Sequence, residues 1–204
     1  MTDTRAHWDG AYTAKAENQV SWFQVEPGKS LALIRDAAKS RDAGIVDIGG
    51  GASVLVDTLL RDGYSDLTVL DVSEVALGRT QARLGAAAEK VSWIVADITR
   101  WRPPRRWDVW HDRAVFHFLT DRADQDAYIA ALTAATAPGA AILMATFAPD
   151  GPEKCSGLPV QRYSPSTIAT RLGSGFRLYA EAAEDHVTPW GSTQKFAYAA
   201  LKRL

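Results

Sequence analysis

The stretch from Ile45 to Leu60, IVDIGGGASVLVDTLL, restricts the fold more than any other part of the chain. A short apolar run, Ile45-Val46-Asp47-Ile48, meets three consecutive glycines, Gly49 to Gly51. The pattern then turns helical, with Val54, Leu55, Leu59 and Leu60 on one side. A strand, a glycine turn and a helix are how open α/β sheets build a ligand site. Glycine lets the backbone approach a ligand closely, and the helix start offers N–H groups without intrahelical partners.

The same alternation continues downstream. LTVLDV (67–72) is a second strand, with Ser73 as N-cap of a helix through Ala76, Leu77 and Leu84. VSWIVADI (91–98) is a third strand and RWDVWHD (106–112) a fourth. An alanine-rich helix over 121–137 is stopped by Pro138-Gly139, and AAILMATFA (140–148) is a fifth strand. Ser164 and Pro165 open a short helix to Gly173, and two strands close the chain without a helix between them. Crossover helices between strands demand a mostly parallel sheet covered on both faces, and the last two strands pair antiparallel. The expected fold is therefore a three-layer α/β/α sandwich, Rossmann-like, with seven strands and an antiparallel C-terminal hairpin. A length of 204 residues suits one domain over 1–204, with a segment of its own over 1–26 and a long irregular loop over 148–164.

Composition excludes several classes of function. Formal net charge is -1 and no basic stripe runs through the chain, so neither nucleic acid nor an anionic membrane surface is an expected partner. No apolar run approaches a membrane span, the N-terminus lacks the apolar core of a secretory signal, and a cytoplasmic protein is expected. The one cysteine, Cys155, allows no intramolecular disulfide, and the histidines show no metal-binding spacing, so no metal is expected.

The ligand of the glycine turn is narrowed by its neighbours. Asp71 ends the second strand 20 residues past Gly51, where such sites place the carboxylate that accepts ribose hydroxyls. A dinucleotide would want a third glycine where this chain has Val54. Asp47, just before the turn, would repel a pyrophosphate but suits an ammonium group. A nucleoside carrying an amino-acid end fits better than NAD.

The segments VDIGGGAS, VLDVS and VADI together resemble the class I, seven-β-strand S-adenosylmethionine-dependent methyltransferases, over roughly Ile45 to Leu204. Ser53 stands where the family's first motif has its third glycine. The resemblance implies S-adenosylmethionine as cofactor, with Asp47 and the backbone of Gly49, Gly50 and Gly51 against its methionine part. It further implies Asp71 on the ribose, Val72 beside the adenine, and Asp97 and Ile98 around the adenine amino group and ring. Asp112 would lie near the transferred methyl. The N-terminal spacing of Trp8, Asp9, Tyr12 and Trp22-Phe23, with Asp112-Arg113-Ala114, is similar to the branch that includes citrate synthase-lysine and elongation factor-lysine methyltransferases. In that branch residues like 1–26 fold over the cofactor as a lid, which adds Trp22 to the expected cofactor contacts.

Methyl transfer from a sulfonium needs position more than acid–base chemistry, and a base only when the acceptor must first lose a proton. Asp112 and His117 are the expected catalytic residues, with His111 and His186 as further candidates. Trp22, Phe23, Phe116, Phe118 and Trp190 would roof a closed pocket, which favours a small-molecule thiol, amine or hydroxyl acceptor over a protein lysine. An NAD-dependent oxidoreductase and a non-catalytic S-adenosylmethionine-binding protein are the remaining readings.

Overall fold

The computed structural model describes residues 4–204; the first three residues of the expected lid segment lie outside the described residues. In chain order the elements are α1 (Thr4–Ala14), α2 (Gly28–Ala37), β1 (Ile45–Ile48), α3 (Leu55–Arg61), β2 (Leu67–Asp71), α4 (Glu74–Leu84), β3 (Val91–Val95), β4 (Trp107–Arg113), α5 (Arg122–Ala135) and β5 (Thr136–Phe147). The hairpin β6 (Lys154–Cys155) and β7 (Leu158–Pro159), α6 (Pro165–Leu172), β8 (Phe176–Val187) and β9 (Thr193–Arg203) follow.

Seven strands form one sheet in the order β3-β2-β1-β4-β5-β9-β8, and only β9 runs against its neighbours β5 and β8. The first five strands are parallel and the order reverses between β1 and β4, which opens a crevice at their carboxyl ends. Period-two alternation sorts the side chains. Ile45, Val69, Val109 and Leu143 pack with Leu31 and Ile34 of α2 and Leu55 and Leu59 of α3. Val46, Ile48, Trp110, Ile142 and Met144 pack on the opposite face with Tyr128 and Leu132 of α5 and Ile168 of α6. The sheet is thus the middle of three layers, as the alternation of elements predicts.

Two boundaries differ from the sequence reading. α5 ends at Ala135 and β5 begins at once, at Thr136. Pro138-Gly139 does not separate the two elements but lies within β5, where the pairing with β4 shifts between Trp107 and Val109 and Gly139 takes φ 90°. The third strand stops at Val95, and Asp97 accepts the Thr99 N–H at 2.9 Å to turn the chain out of the sheet. The 148–164 loop is not wholly irregular: it carries the β6–β7 hairpin.

The N-terminal segment also contains an element that its sequence pattern hides, the helix α1. Asp9 Oδ1 accepts the Ser73 hydroxyl at 2.6 Å, and Arg79 donates to the Lys15 carbonyl at 2.6 Å, so α1 lies against the start of α4. Trp22 packs edge to face with both Trp8 and Tyr12, with ring centroids at 5.6 and 5.9 Å.

Candidate active site

The glycine turn is held in a shape only glycine allows. Gly49 and Gly51 have φ 68° and 33°, in the left-handed region. A Cβ on Gly49 would run into the Val115 side chain, and one on Gly51 would stand 2.7 Å from Asp71 Oδ2. The turn is therefore pressed between the end of β2 and the loop after β4. That loop is itself strained: Ala114, a non-glycine, sits at φ 70°.

A cleft opens beside the turn. Trp22, Asp47, Gly49 and Gly50, all expected at the cofactor, line it, together with Phe23, Ser30, His111 and Arg113. Asp47 Oδ1 lies 2.7 Å from His111 Nδ1, and His111 Nε2 lies 2.9 Å from Ser30 Oγ in the first turn of α2. One ring nitrogen thus meets the carboxylate and the other the serine hydroxyl. His111 therefore orients Asp47, and its own nitrogens are both engaged.

Asp71, at the end of β2, is 6% exposed and accepts the Ser73 N–H at 2.8 Å. Burial pushes its carboxyl up to about 7, and the charges of Asp47 and Asp9 push it the same way. Val72 follows it, half-buried. Asp97 is turned toward Thr99, and Ile98 is buried among the core residues on the α5 side. These four positions flank the carboxyl ends of β2 and β3, apart from the residues that line the cleft. α1 covers this end, with Tyr12 donating nothing to Asp71 but accepting the Trp22 Nε1–H at 3.2 Å.

The two expected catalytic residues are placed differently. Asp112 is fully buried on the α5 face of the sheet, opposite to Asp47 and His111. It accepts the Val115 N–H at 2.9 Å, the Phe116 N–H at 3.1 Å and the Tyr128 hydroxyl. Burial raises it to about 6, against the pull of those hydrogen bonds. His117 is also fully buried; its Nδ1 accepts the Phe147 N–H at 3.3 Å, and burial pulls it down to about 3, so the ring is neutral and Nε2 carries the proton. Its acceptor nitrogen is occupied, and Nε2 has no hydrogen-bond partner. His186 Nε2 donates to the Ser21 carbonyl at 2.7 Å.

The expected roof is partly corrected. Trp22 and Phe23 line the cleft, but Phe116 is core beside Tyr128 and Tyr163, Phe118 packs against Trp8, and Trp190 is 59% exposed in the β8–β9 turn. The 148–164 loop packs on the lid: Cys155 is buried beside Trp22, and Ser156 Oγ lies 3.4 Å from His7 Nε2. Burial lifts the Cys155 thiol to about 11, which keeps it protonated and inert.

Sequence reasoning named Asp47 and His111 singly but missed the polar row that they belong to, with Tyr198 and Glu184. Asp47, His111 and Arg113 share one sheet face, and Tyr198 and Glu184 extend it onto β9 and β8. Residues 21–24 strap across it: the Ser21 carbonyl accepts from His186, the Trp22 carbonyl from Arg113 at 3.3 Å, and Gln24 Nε2 donates to Glu184 at 2.9 Å. Strand alternation carries the signal, because residues at either side of Asp112 must face away from it.

An open sheet with this strand order, and an acidic glycine turn at its switch point, defines the class I methyltransferase fold. Residues 45–139 match the model of a methyltransferase domain. The EEF1A lysine methyltransferase 2 of Danio rerio is 33% identical over 85 residues, which are 38% of this chain and 36% of that protein, so the match reaches about a third of the relative's length. Among solved structures, N-methyltransferase NodS from Bradyrhizobium japonicum WM9 in complex with S-adenosyl-L-homocysteine superposes with a TM-score of 0.70 at 16% identity, covering 95% of this chain and 97% of that one. The 1,6-didemethyltoxoflavin-N1-methyltransferase of Burkholderia thailandensis gives 0.69 at 19%, over 98% and 84%. A structure named for the conversion of a disulfide bond into a thioacetal group during echinomycin biosynthesis gives 0.78 at 18%, over 98% and 93%. Residues 45–139 thus match a methyltransferase domain, and the chain as a whole has the class I methyltransferase fold.

Proposed function

We propose that the protein transfers the methyl group of S-adenosylmethionine to a small-molecule thiol, amine or hydroxyl. The observation that carries the cofactor is the set of carboxylates around the glycine turn. The charges of Asp47 and of Asp9 of the lid add to burial in raising the cost of ionising Asp71. Such a site attracts a cationic ligand rich in donors, and repels a phosphate. S-adenosylmethionine supplies an electrophilic methyl on a sulfonium, a ribose diol and an ammonium group. Asp71 would accept the diol, Asp47 would face the ammonium, and the N–H groups and bare Cα atoms of Gly49 to Gly51 would line the methionine part. Val72, Asp97 and Ile98 would flank the adenine.

The remaining residues hold the site. Asp112 clamps the loop that presses on Gly49 by accepting two of its backbone N–H groups. His111 fixes Asp47, and Tyr12 of α1 and Trp22 pack together along one wall of the cleft. The roles of Asp112 and His117 are thus positioning rather than proton transfer, and an acceptor that arrives neutral or as a thiolate needs no base. The strap over residues 21–24, tied to β4 and β8, supports a small acceptor, because it narrows access to the cleft. A protein lysine is the second reading, favoured by the Danio rerio relative. Among the described residues no helix is long and apolar enough to cross a membrane. Calorimetric titration with S-adenosylmethionine and S-adenosylhomocysteine tests the cofactor; absence of binding to both refutes the reading. Transfer of labelled methyl from the cofactor to small-molecule and protein fractions of an extract then separates the two acceptors.

A further inference from the structure

Among the described residues Arg113 is the one lysine or arginine that lines the cleft. Its side chain is nine-tenths buried, and its guanidinium stacks over the Phe196 ring at 4.2 Å. Nε donates to the Tyr198 hydroxyl at 3.2 Å and Nη1 to the Trp22 carbonyl at 3.3 Å. Nη2 is buried and makes no hydrogen bond; the nearest anion is Glu184 Oε2 at 3.5 Å. Glu184 is engaged elsewhere, accepting Gln24 on one oxygen and the Tyr198 hydroxyl at 2.7 Å on the other. A buried guanidinium nitrogen left without an acceptor is costly, and its planar fork fits one ligand group above others, a carboxylate. Asp47 lies on the same sheet face one strand away, at a register position two residues back. A ligand in the cleft therefore meets an anion at one end and a cation at the other.

We propose that Arg113 is the carboxylate receptor of the cleft, and that Tyr198 and Glu184 hold its guanidinium in place for that task. This inference rests on the methyltransferase reading, which provides two sources of the carboxylate: the methionine end of the cofactor, or an acidic acceptor.

The test is calorimetric. Wild-type protein, Arg113→Lys and the double variant Arg113→Gln/Glu184→Gln, which removes both charges together, are titrated with S-adenosylhomocysteine and with its analogue lacking the α-carboxylate. The same proteins saturated with S-adenosylhomocysteine are then titrated with acetate and benzoate against acetamide and benzamide. A charge-assisted hydrogen bond predicts that wild type prefers the carboxylate member of a pair by about tenfold or more. The double variant loses that preference and Arg113→Lys keeps part of it. A preference in the first series assigns the carboxylate to the cofactor, and one in the second assigns it to the acceptor. Equal affinities within every pair in the wild type overturn the proposal, whatever the variants do, and so does a preference that survives in the double variant. If wild type binds no S-adenosylhomocysteine, the methyltransferase reading fails and this inference fails with it; binding without preference defeats this inference alone.

Discussion

Asp9 of the first helix accepts the hydroxyl of Ser73 at 2.6 Å, and Ser73 in turn caps α4 by accepting the Ala76 N–H at 3.1 Å. The lid is thereby fastened to the helix that begins just after Asp71. Replacing Asp9 by alanine removes that fastening while leaving the α4 cap intact. Hydrogen exchange over residues 4–24 should become faster in the ligand-free variant, and affinity for S-adenosylhomocysteine should fall by about tenfold, the worth of one charged hydrogen bond. Unchanged exchange in this segment would show that packing of Trp8 and Tyr12 alone holds the lid.

Asp71 makes a pH-dependent contribution of definite sign. Its carboxyl is raised from 3.8 to about 7 in the folded protein. The folded state is therefore favoured while the group is protonated in both states, and that advantage is lost as pH rises through about 7. A shift of this size corresponds to roughly 4 kcal/mol at most. Asp71→Asn should melt higher than wild type at pH 8, and the difference should vanish below pH 4. Melting curves at the two pH values check it.

Ligand affinity should follow the opposite course. A ribose diol needs an ionised acceptor, so binding of S-adenosylhomocysteine should tighten between pH 6 and pH 8 in wild type, and stay flat and weak in Asp71→Asn. Calorimetry across this range decides it. A wild-type affinity that does not change with pH would place the ribose elsewhere.

Gly49 meets two obstacles to substitution, a φ of 68° and the Val115 side chain. Gly49→Ala should cost about 1–3 kcal/mol and most of the cofactor affinity. Pairing it with Val115→Ala relieves the collision but not the backbone strain, so stability should recover in part. Full recovery would show that the left-handed conformation is not required.

Ala114 tests the cost of the left-handed turn. It is a non-glycine residue at φ 70° between Arg113 and Val115, a conformation that costs an L-residue about 1 kcal/mol. Ala114→Gly should leave the folded conformation unstrained, offset by the freer unfolded chain, and change melting temperature little; Ala114→Val should lower it by several degrees. Equal melting of the two variants would mean that this turn relaxes at no cost.

The sheet was legible because its strands are apolar runs between helical periods, and the glycine turn because three glycines in a row have few other uses. α1 was not, since HWDGAYTAKA shows no clear helical stripe; its aromatic residues find partners on α4, on residue 22 and on the loop after β4, which tertiary structure alone brings near. Pro138-Gly139 read as a boundary because both residues usually interrupt structure, whereas a shift of register lets a strand carry them. Asp112 drew attention as the strand-terminal carboxylate, yet its two neighbours face the cleft. Trp190 was expected over the pocket from its aromaticity, a property that says nothing about which end of a hairpin a residue occupies.

The strap over residues 21–24 makes the order of synthesis matter. Gln24 finds Glu184 160 positions later, and the Ser21 carbonyl waits 165 positions for His186. A chain emerging from the ribosome can pair β1 with β2, and α1 with α4, long before β8 exists, so residues 21–24 lack their β8 partners until the final hairpin is made. The strap is then fastened last, after the sheet that it rests on, and a nascent chain halted before residue 184 would carry the cleft with α1 in reach but the strap untied from β8.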